Sequence, residues 1–118
     1  MKFDKREIFE KVKCHLLAQN KKSACGNACK YISDDGSRCA IGCLLPDTPG
    51  VRFHNSLAVT EAVMRDLVET YIGASEPEDI RFLADLQRIH DMVDVEQWAS
   101  ALDEFEKDLT KDLERELA

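Results

Sequence analysis

The chain has 118 residues, 44% of them hydrophobic and 33% charged, with a net charge of −7. That length suits one domain with its own core and leaves no room for two. No run approaches the ~18 apolar residues of a membrane-spanning helix, and an acidic chain lacks the basic field that binds a polyanion, so neither a membrane span nor direct nucleic-acid binding is expected.

The charge is split along the chain. Residues 1–60 carry ten Lys/Arg against six Asp/Glu, a net +4, and residues 61–118 carry six against seventeen, a net −11. A cationic partner suits the second half better than an anionic one. The opening Met1-Lys2-Phe3-Asp4-Lys5-Arg6-Glu7 has no apolar stretch behind it, which predicts no secretory signal. Five cysteines, an odd number, predict free thiols or metal ligands in a reducing, cytoplasmic setting in place of a disulfide framework.

In chain order, the spacing first predicts a helix over 1–20. Asp4 and Glu7 form a D-x-x-E capping pattern, and Ile8, Phe9, Val12 and Leu16 recur at helical intervals. Over 29–45 the period shortens. Cys29, Tyr31 and Ser33 alternate with Lys30 and Ile32, Asp34-Asp35-Gly36 offers a turn, and Ser37-Arg38-Cys39-Ala40 runs back. This predicts a short β-hairpin followed by a buried turn from Cys39 to Leu45. Pro46-Asp47-Thr48-Pro49-Gly50 opens a loop over 46–55.

Three acidic helices are expected over 56–118. The first, starting at Ser56 or Thr60, carries Val63, Met64, Leu67, Val68, Tyr71 and Ile72 and stops at Gly73. The second is capped by Ser75 with Pro77 in its first turn, and carries Phe82, Leu83, Leu86 and Ile89. The third is capped by Asp94 and carries Trp98, Leu102, Phe105, Leu109, Leu113 and Leu117. The steps in that last stripe drift around the helix. Its distal leucines therefore either pack back on Phe9 and Val12 or meet a second copy of the chain. The expected class is α+β, mostly α: about four helices with one short β-hairpin after the first, in a single domain over 1–118.

The run Cys39-Ala40-Ile41-Gly42-Cys43-Leu44-Leu45-Pro46-Asp47, together with Leu86-Gln87-Arg88-Ile89-His90-Asp91 before Trp98, resembles small uncharacterised proteins of bacteriophages and bacterial genomes. The resemblance covers the order of elements over about residues 5–105. It implies a phage or prophage accessory protein in the host cytoplasm, and implies no activity.

Chemistry has few candidates. Cys25, Cys29, Cys39 and Cys43, spaced C-x3-C-x9-C-x3-C, could supply four thiolates to a tetrahedral zinc, although cysteines in an apolar run are more often buried structural thiols. His15, His54 and His90 could serve a thiol nucleophile as base, but no hydrolase, metalloprotease, phosphate-loop or dinucleotide motif accompanies them. His90-Asp91 reads as a helix-end pair. The expectation is therefore a non-enzymatic interaction protein with no catalytic residue and no cofactor. A small zinc-stabilised module is the alternative and a thiol-dependent enzyme the third reading.

Overall fold

The computed structural model describes residues 3–22, 24–25, 28–29, 31–33, 35–49, 51 and 61–117, with the side chains of 24–25, 28–29 and 117 outside that description. Four α-helices have both ends among these residues: α1 (Lys5–Gln19), α2 (Ala62–Ile72), α3 (Pro77–Met92) and α4 (Trp98–Leu117); Pro49 and Val51 are helical as well.

Helix α1 begins where the sequence places it. Asp4 is extended, and its carboxylate accepts the Glu7 N–H at 3.1 Å, satisfying one donor that the helix cannot. The Glu7 carboxylate does not reach back to close a capping box but pairs with Lys11 at 3.4 Å. At the far end Asn20 turns left-handed (φ 54°) and its N–H returns to the Leu16 carbonyl at 2.9 Å. The buried face is Ile8, Phe9, Val12 and Leu16, and each such side chain removed from water contributes about 1.5–3 kcal/mol.

The next segment corrects the expected fold class: the fold is all-α, not α+β, and the β-hairpin expected ahead of the buried turn in 29–45 forms no structural layer among the described residues. Among the described residues, extended pairing is confined to two-residue strands, β1 (Ala24–Cys25) with β2 (Ala28–Cys29), and to one isolated bridge between Ile32 and Arg38. A half-solvated strand buries alternate residues. Here Tyr31, Ile32 and Ser33 are all buried in succession, because this stretch passes through the core. The turn at Asp35 and Gly36 is closed by backbone bonds, Ser33 N–H to the Ser37 carbonyl at 2.9 Å and Gly36 N–H to the Ser33 carbonyl at 3.0 Å, and braced by side chains. Asp35 Oδ1 accepts the Ser37 N–H at 2.9 Å and the Ser33 and Ser37 hydroxyls at 2.6 Å each, while Gly36 is left-handed (φ 86°). Lys21 donates to the other carboxylate oxygen at 2.7 Å. That ion pair first, and the serines after it, hold the Asp35 carboxyl well below the usual carboxylate range.

Residues 39–45 then form the buried turn, with a 3-10 helix at Gly42–Leu44. Glycine is required there, since a Cβ on Gly42 would lie 1.8 Å from the Tyr31 carbonyl oxygen. The expected loop over 46–55 lies within the described residues only in part, and the proposed helix starts at Ser56 and Thr60 lie outside them.

Helix α2 buries Met64, Val68 and Ile72 on one face. It ends at left-handed Gly73, whose N–H reaches the Glu69 carbonyl while Ala74 N–H reaches Val68. Helix α3 starts one residue later than the sequence suggests: the N-cap is Glu76, not Ser75. Pro77 occupies the first helical position, which a residue lacking an N–H fills at no cost, so the cap must be the residue before it. Asp79 completes the arrangement by accepting the Glu76 N–H at 3.2 Å. Asp94 sits at the N-cap of a 3-10 turn (Val95–Gln97) leading into α4, and its backbone carbonyl, not its side chain, accepts the Gln97 N–H.

One buried cluster draws on every helix and on the 31–51 segment. Arg6 meets Glu106 and Thr110, and Lys13 meets Asp103 and Glu106, so α1 and α4 run antiparallel. A row of rings joins three helices. Phe9 of α1 stacks on Phe105 of α4 at 5.6 Å, Phe105 meets Phe82 of α3 at 5.5 Å, and Phe3 meets Phe82 edge-on at 5.9 Å. Trp98 and Leu102 are fully buried and Leu109 is 4% exposed. Up to Leu109, then, the drifting stripe is covered by its own chain. Among the described residues no helix is long and apolar enough to cross a membrane.

Candidate functional site

The two segments that carried the resemblance lie far apart in sequence and meet in space. Gln87, on the inner face of α3, accepts the Ile41 N–H at 3.1 Å and donates to the Asp91 carboxylate at 2.8 Å. His90 Nδ1 donates to the same carboxylate oxygen at 2.7 Å, and Lys22 donates to the Asp91 backbone carbonyl at 3.1 Å. The His90 ring is wholly buried and stacks on Trp98 at 5.5 Å, while the Trp98 indole N–H donates to the Val93 carbonyl. On the loop side, Gln19 clamps Arg38, accepting its N–H at 2.7 Å and donating to its carbonyl at 2.8 Å, and His15 meets the same carbonyl at 3.0 Å.

This junction is polar but closed. Cys39 is fully buried, and its sulfur accepts the Gly42 N–H at 3.2 Å. Burial pushes its thiol far above the ordinary range, outweighing that N–H, and the charge of Asp91 adds to the rise. Burial likewise pushes the half-buried Cys43 thiol up to about 12, and its S–H donates to the Ala40 carbonyl. A nucleophilic cysteine needs a stabilised thiolate and access. Cys39 has neither, and His90 opens to no solvent. Among the described residues no three His, Cys, Asp or Glu side chains are placed to hold a metal ion. The side chains of Cys25 and Cys29, half of the candidate zinc set, and the whole of His54 lie outside the described residues. Cys14 is exposed and free on α1.

The second region lies on α4, whose two sides treat charge differently. Toward α1, Glu106 pairs with Arg6 at 3.1 Å and with Lys13 at 3.3 Å, and Asp103 pairs with Lys13 at 3.7 Å. The Glu106 hydrogen bond is the main reason the Lys13 ammonium titrates above its ordinary value. Toward α3, a groove of about 460 Å³ runs between the two helices, floored by Phe82, Phe105, Leu109 and Leu113. Asp85, Asp108, Asp112 and Glu116 line it, with Lys5 and Arg88. Among the described residues Asp85, Asp108 and Glu116 have no ion pair, and Asp112 has only an exposed contact to Arg115 at 3.5 Å. Carboxylates at 108, 112 and 116 follow one another at i, i+4, where each like-charged pair costs a helix about 0.2–0.5 kcal/mol.

The sequence places Leu109 and Leu113 of this groove on one stripe of an acidic helix but does not show the groove itself. The available signal was an acidic residue every fourth position beside an apolar one. Asp85, a wall contributed by another helix, has no such local signal. No family model, curated protein or solved structure matches this chain.

Proposed function

We propose that this chain is a non-enzymatic accessory protein of a phage or prophage, acting in the host cytoplasm by binding a host or phage protein through the acidic surface of α3 and α4. The phage origin rests on the sequence resemblance alone. The observation that carries the binding reading is the unequal use of charge on α4: Arg6 and Lys13 of α1 pair with Asp103 and Glu106, while Asp108 and Glu116 on the groove side have no ion pair among the described residues, although Lys5 and Arg88 also line that groove. An acidic face of this kind steers a basic partner and selects against an acidic one. The buried junction supports the non-enzymatic half of the reading, because its thiols are held protonated and its imidazole is enclosed.

The test is comparative capture from host lysate with the wild-type chain and an Asp108→Lys/Glu116→Lys variant, at low salt and at about 0.5 M, where the Debye length is about 4 Å. A protein retained by the wild type at low salt, and lost with either change, supports the reading. Retention that is indifferent to both removes it.

A further inference from the structure

We infer that the groove between α3 and α4 seats a short cationic amphipathic helix of the partner protein, its apolar ridge on the partly buried Phe105 and Leu113, with the buried Leu109 between them, and its Lys or Arg side chains against Asp108, Asp112 and Glu116. The inference rests on the interaction reading above and deepens it by naming the occupant.

Three observations select that occupant. The first is charge: four carboxylates and two cations line the groove, a formal −2, and three of those carboxylates have no ion pair among the described residues. A cationic segment supplies the pairing that Lys5 and Arg88 leave unmade. The second is the backbone. Both walls are α-helices, whose main-chain groups bond internally along their length. An extended peptide laid here would find no edge to pair with and would leave its own N–H and C=O groups unsatisfied against an apolar floor. A helix satisfies its own, and packs its ridge into the furrow between two others. The third is repeat. The apolar positions 105, 109 and 113 and the acidic positions 108, 112 and 116 run in parallel rows, each spanning eight residues, or about 12 Å along the axis. A helix with apolar residues at i, i+4 and i+8, flanked by cations at the same interval, matches both rows at once.

The test uses three fluorescent synthetic peptides on the full chain, read by anisotropy. The first is a Leu/Lys helix with one apolar stripe. The second has the same composition shuffled so that no stripe forms. The third is the first with Glu in place of Lys. The striped cationic peptide is expected to bind at least about tenfold more tightly than either other peptide, a difference of about 1.4 kcal/mol. Asp108→Lys/Glu116→Lys should remove that preference. Asp66→Lys/Glu69→Lys, the same charge change made on exposed α2 positions, should keep it. All of these positions are exposed, and circular dichroism checks that each variant stays folded.

Equal binding of the striped and shuffled peptides would overturn the inference, showing bulk attraction only. So would equal loss in the α2 variant, or sedimentation showing a second copy of the chain on the groove. If lysate capture still fails with the groove variant while the peptides show no preference for the stripe, the named occupant is wrong and the interaction reading stands. If capture ignores the groove variant, the interaction reading itself fails.

Discussion

The junction beneath residues 38–45 and the groove between α3 and α4 are both rich in polar side chains, and they use them in opposite ways. At the junction every described group is answered within the chain: Gln87 meets Ile41 and Asp91, His90 meets Asp91, and Gln19 meets Arg38. In the groove, among the described residues, no cation forms an ion pair with Asp85, Asp108 or Glu116, although Lys5 and Arg88 line it beside them. Polarity satisfied from within builds architecture, because a buried group left unpaired would cost about 1–3 kcal/mol. Polarity left open at a surface costs little in water and becomes useful when a partner arrives. The two motifs that look most distinctive in the sequence thus belong to the scaffold, and the less conspicuous acidic repeat belongs to the face offered outward.

The comparison breaks most visibly at Gly42. The chain passes so closely under Tyr31 that Gly42→Ala sets a methyl group against backbone atoms, 1.8 Å from the carbonyl oxygen and 2.6 Å from its carbon. Neither atom can swing aside as a flexible side chain would. The expected loss is about 3 kcal/mol or more, read as a fall in the urea midpoint with unchanged slope. A loss below about 1 kcal/mol would mean the junction is loose and not the rigid half of the comparison.

Next in size is Gln87→Leu, which keeps the bulk and removes both hydrogen bonds. It strands the Ile41 N–H and takes one donor from Asp91, so about 1–3 kcal/mol should be lost. Equal stability in the variant would show that water already serves these groups. The effect should be indifferent to salt, unlike anything measured at the groove.

Smaller again is the α1–α4 pair. Arg6 and Glu106 side chains are 38% and 32% exposed, so their coupling should be about 0.5–1 kcal/mol in a double-mutant cycle and should shrink with added salt. A coupling of zero at low salt would undermine the claim that α1 spends its cations on α4, and with it the contrast between the two sides of that helix.

These contrasts were unevenly legible in the sequence. Local patterns with one physical meaning were readable: Asp4 ahead of an apolar stripe caps α1, Gly73 ends α2, and Trp98 and Leu102 are buried as their spacing requires. Features set by distant neighbours were not. Alternation at 29–33 suggested a strand, but tertiary contacts bury Tyr31, Ile32 and Ser33 together, so no alternating face exists. Ser75 looked like a cap because serine favours that place, yet the demand of Pro77 for the first helical position moved the cap to Glu76. The groove was the hardest to foresee. Whether a carboxylate on α4 is paired depends on Arg6 and Lys13, roughly a hundred positions away in the chain, and composition counts both sides of the helix alike. Of the leucines that suggested a dimer, Leu109 is buried by its own fold and Leu113 only partly, a difference that the spacing of the stripe does not show.

The smallest effect tests the comparison most directly, because its sign is unusual for a point substitution. Most substitutions destabilise, but Asp112→Lys should stabilise the isolated chain. It replaces two like-charged i, i+4 neighbours, Asp108 with Asp112 and Asp112 with Glu116, by two attractive ones, at about 0.2–0.5 kcal/mol for each repulsion relieved and each attraction gained. Against this, it gives up the exposed 3.5 Å i, i+3 contact with Arg115 and sets a second cation beside that guanidinium, which together offset about half of the gain. The net gain should be about 0.5 kcal/mol at low ionic strength, seen as a small rise in Tm, and most of it should disappear at about 0.5 M salt. The same variant should bind the striped cationic peptide more weakly than the wild type, since one of three acidic positions now repels it. Stability gained together with binding lost is the signature of charge kept for a partner. A variant that is no more stable than the wild type at low salt would show that the acidic row carries no cost in the free chain, and the distinction between satisfied and open polarity would lose its energetic basis.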